Sequence, residues 1–226
     1  MPLEPHQFWQ SVDAPGTHVS NIQGWLDSYP ATLPDGRQIL LPIRILPGDG
    51  KSAVASLIIN QASFVVEDAI AAAMAGLLGP FEPDIIIGVP TLGLPLANNV
   101  ARRLDHSRMV ALGTSRKFWY RDDLSTPMSS ITSPEQVKTI FLDPRLLPLL
   151  EGKRVAVIDD VISSGTSMAA VMALLDRIGV APVAVAAAML QGTFWQDKLD
   201  HWGDRIVAPL ASPRLARTAS GHWLPA

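Results

Sequence analysis

The order of apolar and polar stretches along the chain predicts an α/β protein with a mostly parallel sheet. From residue 63 onward, short apolar runs such as "DIIIGVP" and "KRVAVID" alternate with longer runs of helical character. Parallel strands are joined by helices that cover both faces of the sheet, so they form nearly continuous apolar runs. The predicted elements are a helix over 63–79, a strand over 84–90, a helix over 92–105, a strand over 108–113, a strand over 153–159, a helix over 167–179 and a strand over 182–190.

The first sixty residues have a different pattern, with frequent turn signals. The runs "RQILLPIRIL" (37–46) and "SAVASLII" (52–59) are separated by a turn that contains two glycines. This arrangement predicts an antiparallel hairpin. Between 114 and 149 the chain is polar for longer than a minimal strand-to-helix unit needs, which is typical of a working loop or of disorder. After residue 205 we expect one further strand and then a loose tail.

Composition and charge exclude several classes of function. The 226 residues contain 48% hydrophobic side chains, enough for one sizeable domain, and no cysteine. Disulfides, thiolate zinc sites and cysteine nucleophiles are therefore excluded, and a reducing cytosol suits the chain. The net charge of −3, without a long basic block, disfavours nucleic acid as a partner. No apolar run approaches the ~20 residues of a membrane span, and the N-terminus lacks a signal-peptide layout, so we expect a cytoplasmic protein.

The stretch "VAVIDDVISSGTS" (155–167) contains the most informative chemistry. An apolar strand ends in Asp159 and Asp160 and is followed by a loop of hydroxyl residues and one glycine that leads into a helix. Ligands bind beyond the carboxyl ends of parallel strands, and a helix N-terminus with exposed N–H groups holds phosphate. Carboxylates accept hydrogen bonds from sugar hydroxyls or help to hold a cation such as Mg2+. A phosphorylated sugar offers both kinds of group, although a generic acidic pair before a glycine is often only a solvated turn.

This stretch resembles the phosphoribosyl-pyrophosphate signature of the type I phosphoribosyltransferases. The resemblance implies that Asp159 and Asp160 bind the ribose hydroxyls, that Mg2+ is the cofactor, and that the acids meet it mainly through the substrate. It also implies that the 5′-phosphate is bound by the loop residues Ser163, Ser164, Gly165, Thr166 and Ser167.

Two other segments match the same family in the expected order. "IIIGVPTLGLPLA" (85–97) resembles the pyrophosphate loop, which implies binding roles for Val89, Pro90, Thr91, Leu92 and Gly93. The long polar segment, about 114–149, is similar in position to the family's mobile loop. There Arg116 and Lys117 would neutralise the departing pyrophosphate, although a solvated basic loop is the alternative.

The resemblance also implies an organisation and a set of partners. Residues 1–60 would form a hood over the nucleobase, 61–210 the phosphoribosyltransferase core, and 211–226 a C-terminal tail. The partners would be phosphoribosyl pyrophosphate and a nucleobase, and the enzyme would be a homodimer.

The identity of the base is less constrained. The segments "SRK" and "SSITSPEQVKTI" look similar to those of xanthine- and adenine-type enzymes, and Asn60 is a candidate base contact, with a helix N-cap as its alternative role. The pyrophosphate loop is also similar to that of orotate enzymes, but Leu92 stands where they usually carry lysine. Ser163 stands where hypoxanthine–guanine enzymes have an aspartate. A purine acceptor is favoured, and an orotate-type enzyme, a non-catalytic regulator of the same fold and hydrolysis of an activated sugar stay open.

Overall fold

The computed structural model describes residues 3–19, 23–130 and 133–226, with their side chains except at 129–130 and 133–137. The α-helices of this part are α1 (Phe64–Leu78), α2 (Gly93–Arg103), α3 (Thr166–Arg177) and α4 (Gln196–Leu199). The strands are β1 (Ser28–Thr32), β2 (Gln38–Ile45), β3 (Ser52–Ala55), β4 (Ile85–Gly88), β5 (Val110–Ala111), β6 (Ser125–Ser130), β7 (Ser133–Phe141), β8 (Val155–Ile162), β9 (Ala184–Gln191), β10 (Ile206–Val207), β11 (Leu210–Ser212), β12 (Arg214–Arg217) and β13 (Trp223–Pro225).

The centre of the fold is a six-stranded parallel sheet in the order β10-β9-β8-β4-β5, with β11 also paired to β9. This confirms the predicted α/β class. The chain leaves β4 toward β5 on one side and leaves β8 toward β9 on the other. A crevice opens where two neighbouring strands diverge in this way, at their carboxyl ends. The two loops predicted to bind phosphates follow β4 and β8, so the topology brings them to the same crevice.

The two faces of this sheet are buried in separate apolar layers. Ile86 of β4 packs with α1, α2 and buried residues of β1, β2 and β3. Its neighbours Ile85 and Ile87 pack on the other face, with α3 and with apolar residues of β6 and β7. Successive strand side chains point to opposite faces, and both faces are covered here. A fully apolar strand is the result.

The segment Phe64–Phe81 has the length and apolar composition of a membrane span. Helix α1 within it buries seven side chains in the core, among them Ile70, Met74 and Leu78. This is the packing of a core helix. Ser63 caps its first turn by accepting a hydrogen bond from the Val66 N–H at 3.3 Å, so the N-cap is not Asn60.

A second, antiparallel sheet has the order β1-β2-β3-β12-β13 and is called the five-stranded sheet below. The hairpin predicted from 37–59 is confirmed, since β2 pairs with β3. The loose tail predicted at the C-terminus is wrong. Strand β12 pairs with β3, and β13 pairs with β12. Alternation in "RLAR" buries Leu215, and Trp223 packs with Ala53 and Leu215 in a small apolar cluster.

Two more sequence expectations change in detail. The strand that was expected to end at Asp159 continues to Ile162, because β9 pairs with it along this extension. The long polar segment contains the antiparallel hairpin β6–β7, which packs on α3. The tip of the predicted mobile loop, 131–132, lies outside the described residues, as do 1–2 and 20–22 of the predicted hood.

Gly93 lets the start of α2 lie directly against β8. A Cβ at this position would lie 2.8 Å from the Asp159 Cα and 3.0 Å from the Ile158 carbonyl oxygen. Both are backbone atoms, so a larger residue can be accommodated only if the helix or the strand shifts. Gly93 therefore sets the distance between the first turn of α2 and the acidic pair.

We expect Trp223→Ala to lower the free energy of unfolding by about 3–5 kcal/mol, because it empties a buried aromatic site. Trp223 is 4% exposed. Denaturant unfolding measures the change. The control is Phe118→Ala, which removes an aromatic ring that is 97% exposed and should shift stability by less than about 0.5 kcal/mol. Equal stability of the two variants would show that the C-terminal strands are not part of the cooperative fold.

We expect Gly93→Ala to lower the free energy of unfolding by about 1–3 kcal/mol through overpacking. Gly76→Ala is the matched control, because a Cβ there meets nothing within 4 Å and the position is inside helix α1. Alanine is the better helix former, so the control should be neutral or more stable by up to about 1 kcal/mol. Thermal and denaturant unfolding compare the two, and a Gly93→Ala protein as stable as Gly76→Ala would contradict the close approach.

Candidate active site

A cavity of about 640 Å3 lies beyond the carboxyl ends of β4 and β8. Its walls come from these two strand ends, from the five-stranded sheet and from the β6–β7 hairpin. Most of the residues predicted from the sequence meet here. They are Pro90, Thr91, Leu92, Asp159, Asp160, Ser163, Ser164, Gly165, Thr166 and Ser167.

The acidic pair lies where β8 runs past the end of β4. Gly88, the last residue of β4, is level with Ile158, so β4 gives no pairing partner to Asp159 and Asp160. Asp159 is 7% exposed, and its Oδ1 accepts a hydrogen bond from the Asp160 N–H at 2.9 Å. Burial, and then the neighbouring charge of Asp160, raise the pKa of Asp159 well above its usual range. Burial also raises the pKa of Asp160.

The loop after β8 is shaped as an anion site at the start of α3. Gly165 has φ +72°, a left-handed conformation that glycine adopts without strain. The Ser164 hydroxyl accepts a hydrogen bond from the Thr166 N–H at 3.4 Å and donates one to the Thr166 Oγ1 at 3.1 Å. Backbone N–H groups at a helix start and the helix dipole together favour a bound phosphate.

The segment after β9 supports this loop from behind. A Cβ at Gly165 would lie 3.1 Å from the Trp195 carbonyl oxygen, so the loop backbone lies directly against Trp195. The Lys198 Nζ donates a hydrogen bond to the Ser164 carbonyl oxygen at 3.3 Å. Both residues lie outside the sequence motif, and only the tertiary packing identifies them as neighbours of the loop.

The loop after β4 is the second loop predicted to bind an anion. Thr91 is exposed and Leu92 is half-buried on the cavity wall, and the Pro90–Thr91 peptide bond is cis. Two other residues predicted to bind substrate do not line the cavity, and their binding roles stay predictions. Val89 is 1% exposed in the apolar core, and Gly93 packs behind the wall against Asp159.

Three further predicted residues also lie outside the cavity wall. Asn60 is exposed in the short helical turn Ile59–Gln61. Arg116 and Lys117 are exposed on the loop before β6, also outside the lining. Their roles as base contact and as pyrophosphate-neutralising cations stay predictions.

The arginines of this loop have acidic partners close in sequence. Arg116 pairs with Asp122, and Arg121 pairs with Asp123. These ion pairs are exposed and contribute little stability, but in this conformation each arginine is bound to an aspartate. In this conformation neither arginine lines the cavity.

Sequence reasoning missed the cations that do line the cavity. They are Arg44 on β2, Lys138 on β7 and Arg214 on β12, and Gln191 at the end of β9 lies with them. Lys138 is directly opposite Met128 in the hairpin, and both residues line the cavity. Each of the three cations comes from a segment with no motif of its own. The alternation of polar and apolar residues in "RIL" and "RLAR" predicts which face of its own strand each of Arg44 and Arg214 occupies. The pairing of β12 with β3, which brings them to the same face of one sheet, cannot be derived from the sequence.

Comparison with solved structures shows the fold. The chain is similar to APRTase from Giardia lamblia complexed with 9-deazaadenine, with 18% identity, a TM-score of 0.56, and coverage of 65% of this chain and 80% of that chain. The adenine phosphoribosyltransferase from Thermoanaerobacter pseudethanolicus has 20% identity and a TM-score of 0.54, with coverage of 65% and 81%. That from Rhodothermus marinus has 22% identity and a TM-score of 0.52, with coverage of 75% and 94%.

A search of curated protein sequences finds no match. The model of the phosphoribosyl transferase domain family matches residues 58–206, about two thirds of the chain. The match contains both anion-binding loops and the acidic pair. With these elements converging on one cavity, the chain belongs to the phosphoribosyltransferase family.

Proposed function

We propose that this protein transfers 5-phosphoribose from phosphoribosyl pyrophosphate to a ring nitrogen of a nucleobase and releases pyrophosphate. The observation that carries the proposal is the meeting of Asp159 and Asp160 with two anion-binding loops in one cavity. A sugar with phosphates at two ends needs this combination, because the carboxylates accept from its hydroxyls while the loops donate to its anionic groups.

Each wall of the cavity binds a different part of the donor substrate. The loop 163–167 binds the 5′-phosphate through its N–H and hydroxyl groups, and Asp159 and Asp160 accept hydrogen bonds from the ribose hydroxyls. The loop 90–92 then faces the pyrophosphate at the anomeric carbon. These contacts fix the anomeric carbon in the open centre of the cavity, where an acceptor nitrogen can approach it.

The residues present fit a magnesium ion bound mainly through the substrate. Asp159 and Asp160 provide hard oxygen donors side by side. No group of three or more acidic, histidine or cysteine side chains is placed to hold a metal within the described ranges. An ion here would therefore take most of its ligands from substrate oxygens and water, as Mg2+ commonly does. When bound, it would supply positive charge that stabilises the leaving pyrophosphate.

Bond breaking at the anomeric carbon puts positive charge on the sugar and negative charge on the departing pyrophosphate. The buried carboxylate of Asp159 stabilises the positive charge on the sugar. The negative charge on the pyrophosphate is stabilised by the N–H groups of the loop after β4 and by Lys138 on the facing hairpin. The hairpin also covers part of the cavity and limits the water that could attack the activated sugar. Closure of the segment 114–149 would add Arg116 and Lys117, once they leave their present exposed positions.

The finer assignments of this proposal rest on the family resemblance. They are a purine acceptor, a homodimer and a cytoplasmic location. Structural neighbours that are named adenine phosphoribosyltransferases support the purine. An orotate-type acceptor is the alternative.

We expect Asp159→Asn and Asp160→Asn to lower kcat/KM for phosphoribosyl pyrophosphate by about 10- to 100-fold each, because each removes a charge-assisted hydrogen bond. The measurement is pyrophosphate release with a panel of nucleobases. Asp84→Asn is the control, since Asp84 lies just before β4, at the opposite edge of the same sheet, and accepts from the Arg154 N–H, a bond that asparagine also accepts. A double variant at 159 and 160 with full activity would refute the proposal.

We expect Asp159→Asn to be more stable than the parent protein at neutral pH, without bound ligand. The pKa of Asp159 is raised in the folded state, so the folded state binds more protons than the unfolded state between the two pKa values. Stability of the parent therefore falls as pH rises through this window. Unfolding measured from pH 4 to pH 8 should show the variant gaining its advantage as pH rises, and a constant difference would contradict the burial penalty.

A further inference from the structure

Two arginines lie in one row across the cavity-facing side of the five-stranded sheet. Arg44 of β2 is directly opposite Val54 of β3, and Val54 is directly opposite Arg214 of β12. Directly paired residues lie on the same face of a sheet, and all three line the cavity. Two strand spacings separate the arginine Cα atoms by about 10 Å, which two long side chains can bridge around one small ligand.

Neither arginine is neutralised by a carboxylate within the part of the chain that the structure describes. The arginines of the loop before β6 differ, since Arg116 and Arg121 each have an aspartate partner. Arg214 is also held in place: its Cγ lies against Gly192, and its guanidinium lies 5.3 Å from the centre of the Phe194 ring. Two unneutralised guanidinium groups on one cavity wall, one of them held in place, favour a bound anion.

The position of the pair decides which substrate meets it. Under the proposed function, on which this inference rests, the donor occupies the walls formed by 90–92, 159–160 and 163–167. The β6–β7 hairpin faces the pyrophosphate through Lys138, so the wall that remains for the acceptor is the face of the five-stranded sheet, with Arg44, Val54 and Arg214. The acceptor has to reach the anomeric carbon from this side.

We infer that the acceptor carries a negative charge, which Arg44 and Arg214 recognise. Guanidinium groups bind carboxylates and other planar oxyanions through paired hydrogen bonds. Two heterocycle chemistries offer such a charge: a ring with a carboxylate, as in orotate, and a ring with an acidic lactam, as in xanthine. A neutral ring such as adenine offers no anionic partner to the two guanidinium groups. The row therefore selects an acidic nucleobase over adenine.

The first experiment compares orotate, xanthine and adenine as acceptors in pyrophosphate release from phosphoribosyl pyrophosphate. We expect orotate or xanthine to be used with kcat/KM at least about tenfold above that for adenine, and the better of the two identifies the carboxylate or the lactam. Preference for adenine would overturn the inference and leave the proposed function intact. Absence of release with every base would overturn both.

The second experiment tests the two arginines separately. Arg44→Gln and Arg214→Gln should each raise KM for the acidic acceptor about tenfold or more, with KM for phosphoribosyl pyrophosphate unchanged. Arg44→Lys keeps the charge but not the paired hydrogen bonds, so its KM should lie between those of the parent and Arg44→Gln. Arg37→Gln is the control, because Arg37 is next to β2 but pairs with Asp35 outside the cavity lining.

Comparing the KM for the acidic acceptor with the KM for phosphoribosyl pyrophosphate distinguishes acceptor binding from donor binding and from a purely structural role. A rise in KM for phosphoribosyl pyrophosphate alone would mean that the arginines bind the donor, and this would overturn the inference. Arg214 packs on Gly192, so its variant is also checked by thermal unfolding. Arg44 is exposed and has no such packing role, so an unchanged KM for the acidic acceptor in Arg44→Gln would overturn the inference whatever the fold of the Arg214 variant.

Discussion

The pairing of β4 with the longer strand β8 is the constraint on which the site depends. β4 stops at Gly88 while β8 continues for four residues beyond Ile158, supported on its other side by β9. The chain can therefore turn away after β4, return at Gly93 and pack α2 against the backbone of Asp159. One short strand beside one long strand thus creates both the crevice and its acidic wall. The loops on either side have only to present their N–H groups to it.

This arrangement places two carboxylates where the free protein gains nothing from them. Asp159 is buried next to Asp160, and both burial and the neighbouring charge disfavour its ionised form. A ligand that donates hydrogen bonds or positive charge would stabilise the ionised pair, which is consistent with the proposed sugar hydroxyls and magnesium. Strain of this kind at a site is expected when function, rather than stability, determines the residue.

The five-stranded sheet contributes basic residues to the cavity wall. Its β3 strand is the meeting point of the N-terminal strands and the C-terminal strand β12. The last residues of the chain therefore do more than complete a sheet, since Arg214 faces the cavity beside Arg44. The acidic pair and the two arginines line the same cavity, and the proposed separation of a donor side from an acceptor side rests on this difference in charge.

The sequence by itself determined the parallel α/β core, the hairpin of β2 and β3, and the position of the two loops after β4 and β8, because these depend on local patterns. Apolar runs, glycine turns and the acidic pair each act within a few residues of one another. Tertiary structure decided what depends on pairing between distant segments: the extension of β8 along β9, the addition of β12 to β3, and the position of Arg44, Lys138 and Arg214 on the cavity. No local pattern encodes the register of strands that are about 160 residues apart. The same limit explains why Arg116 and Lys117, basic and correctly placed in sequence, lie outside the cavity lining, while cations without any motif form its wall.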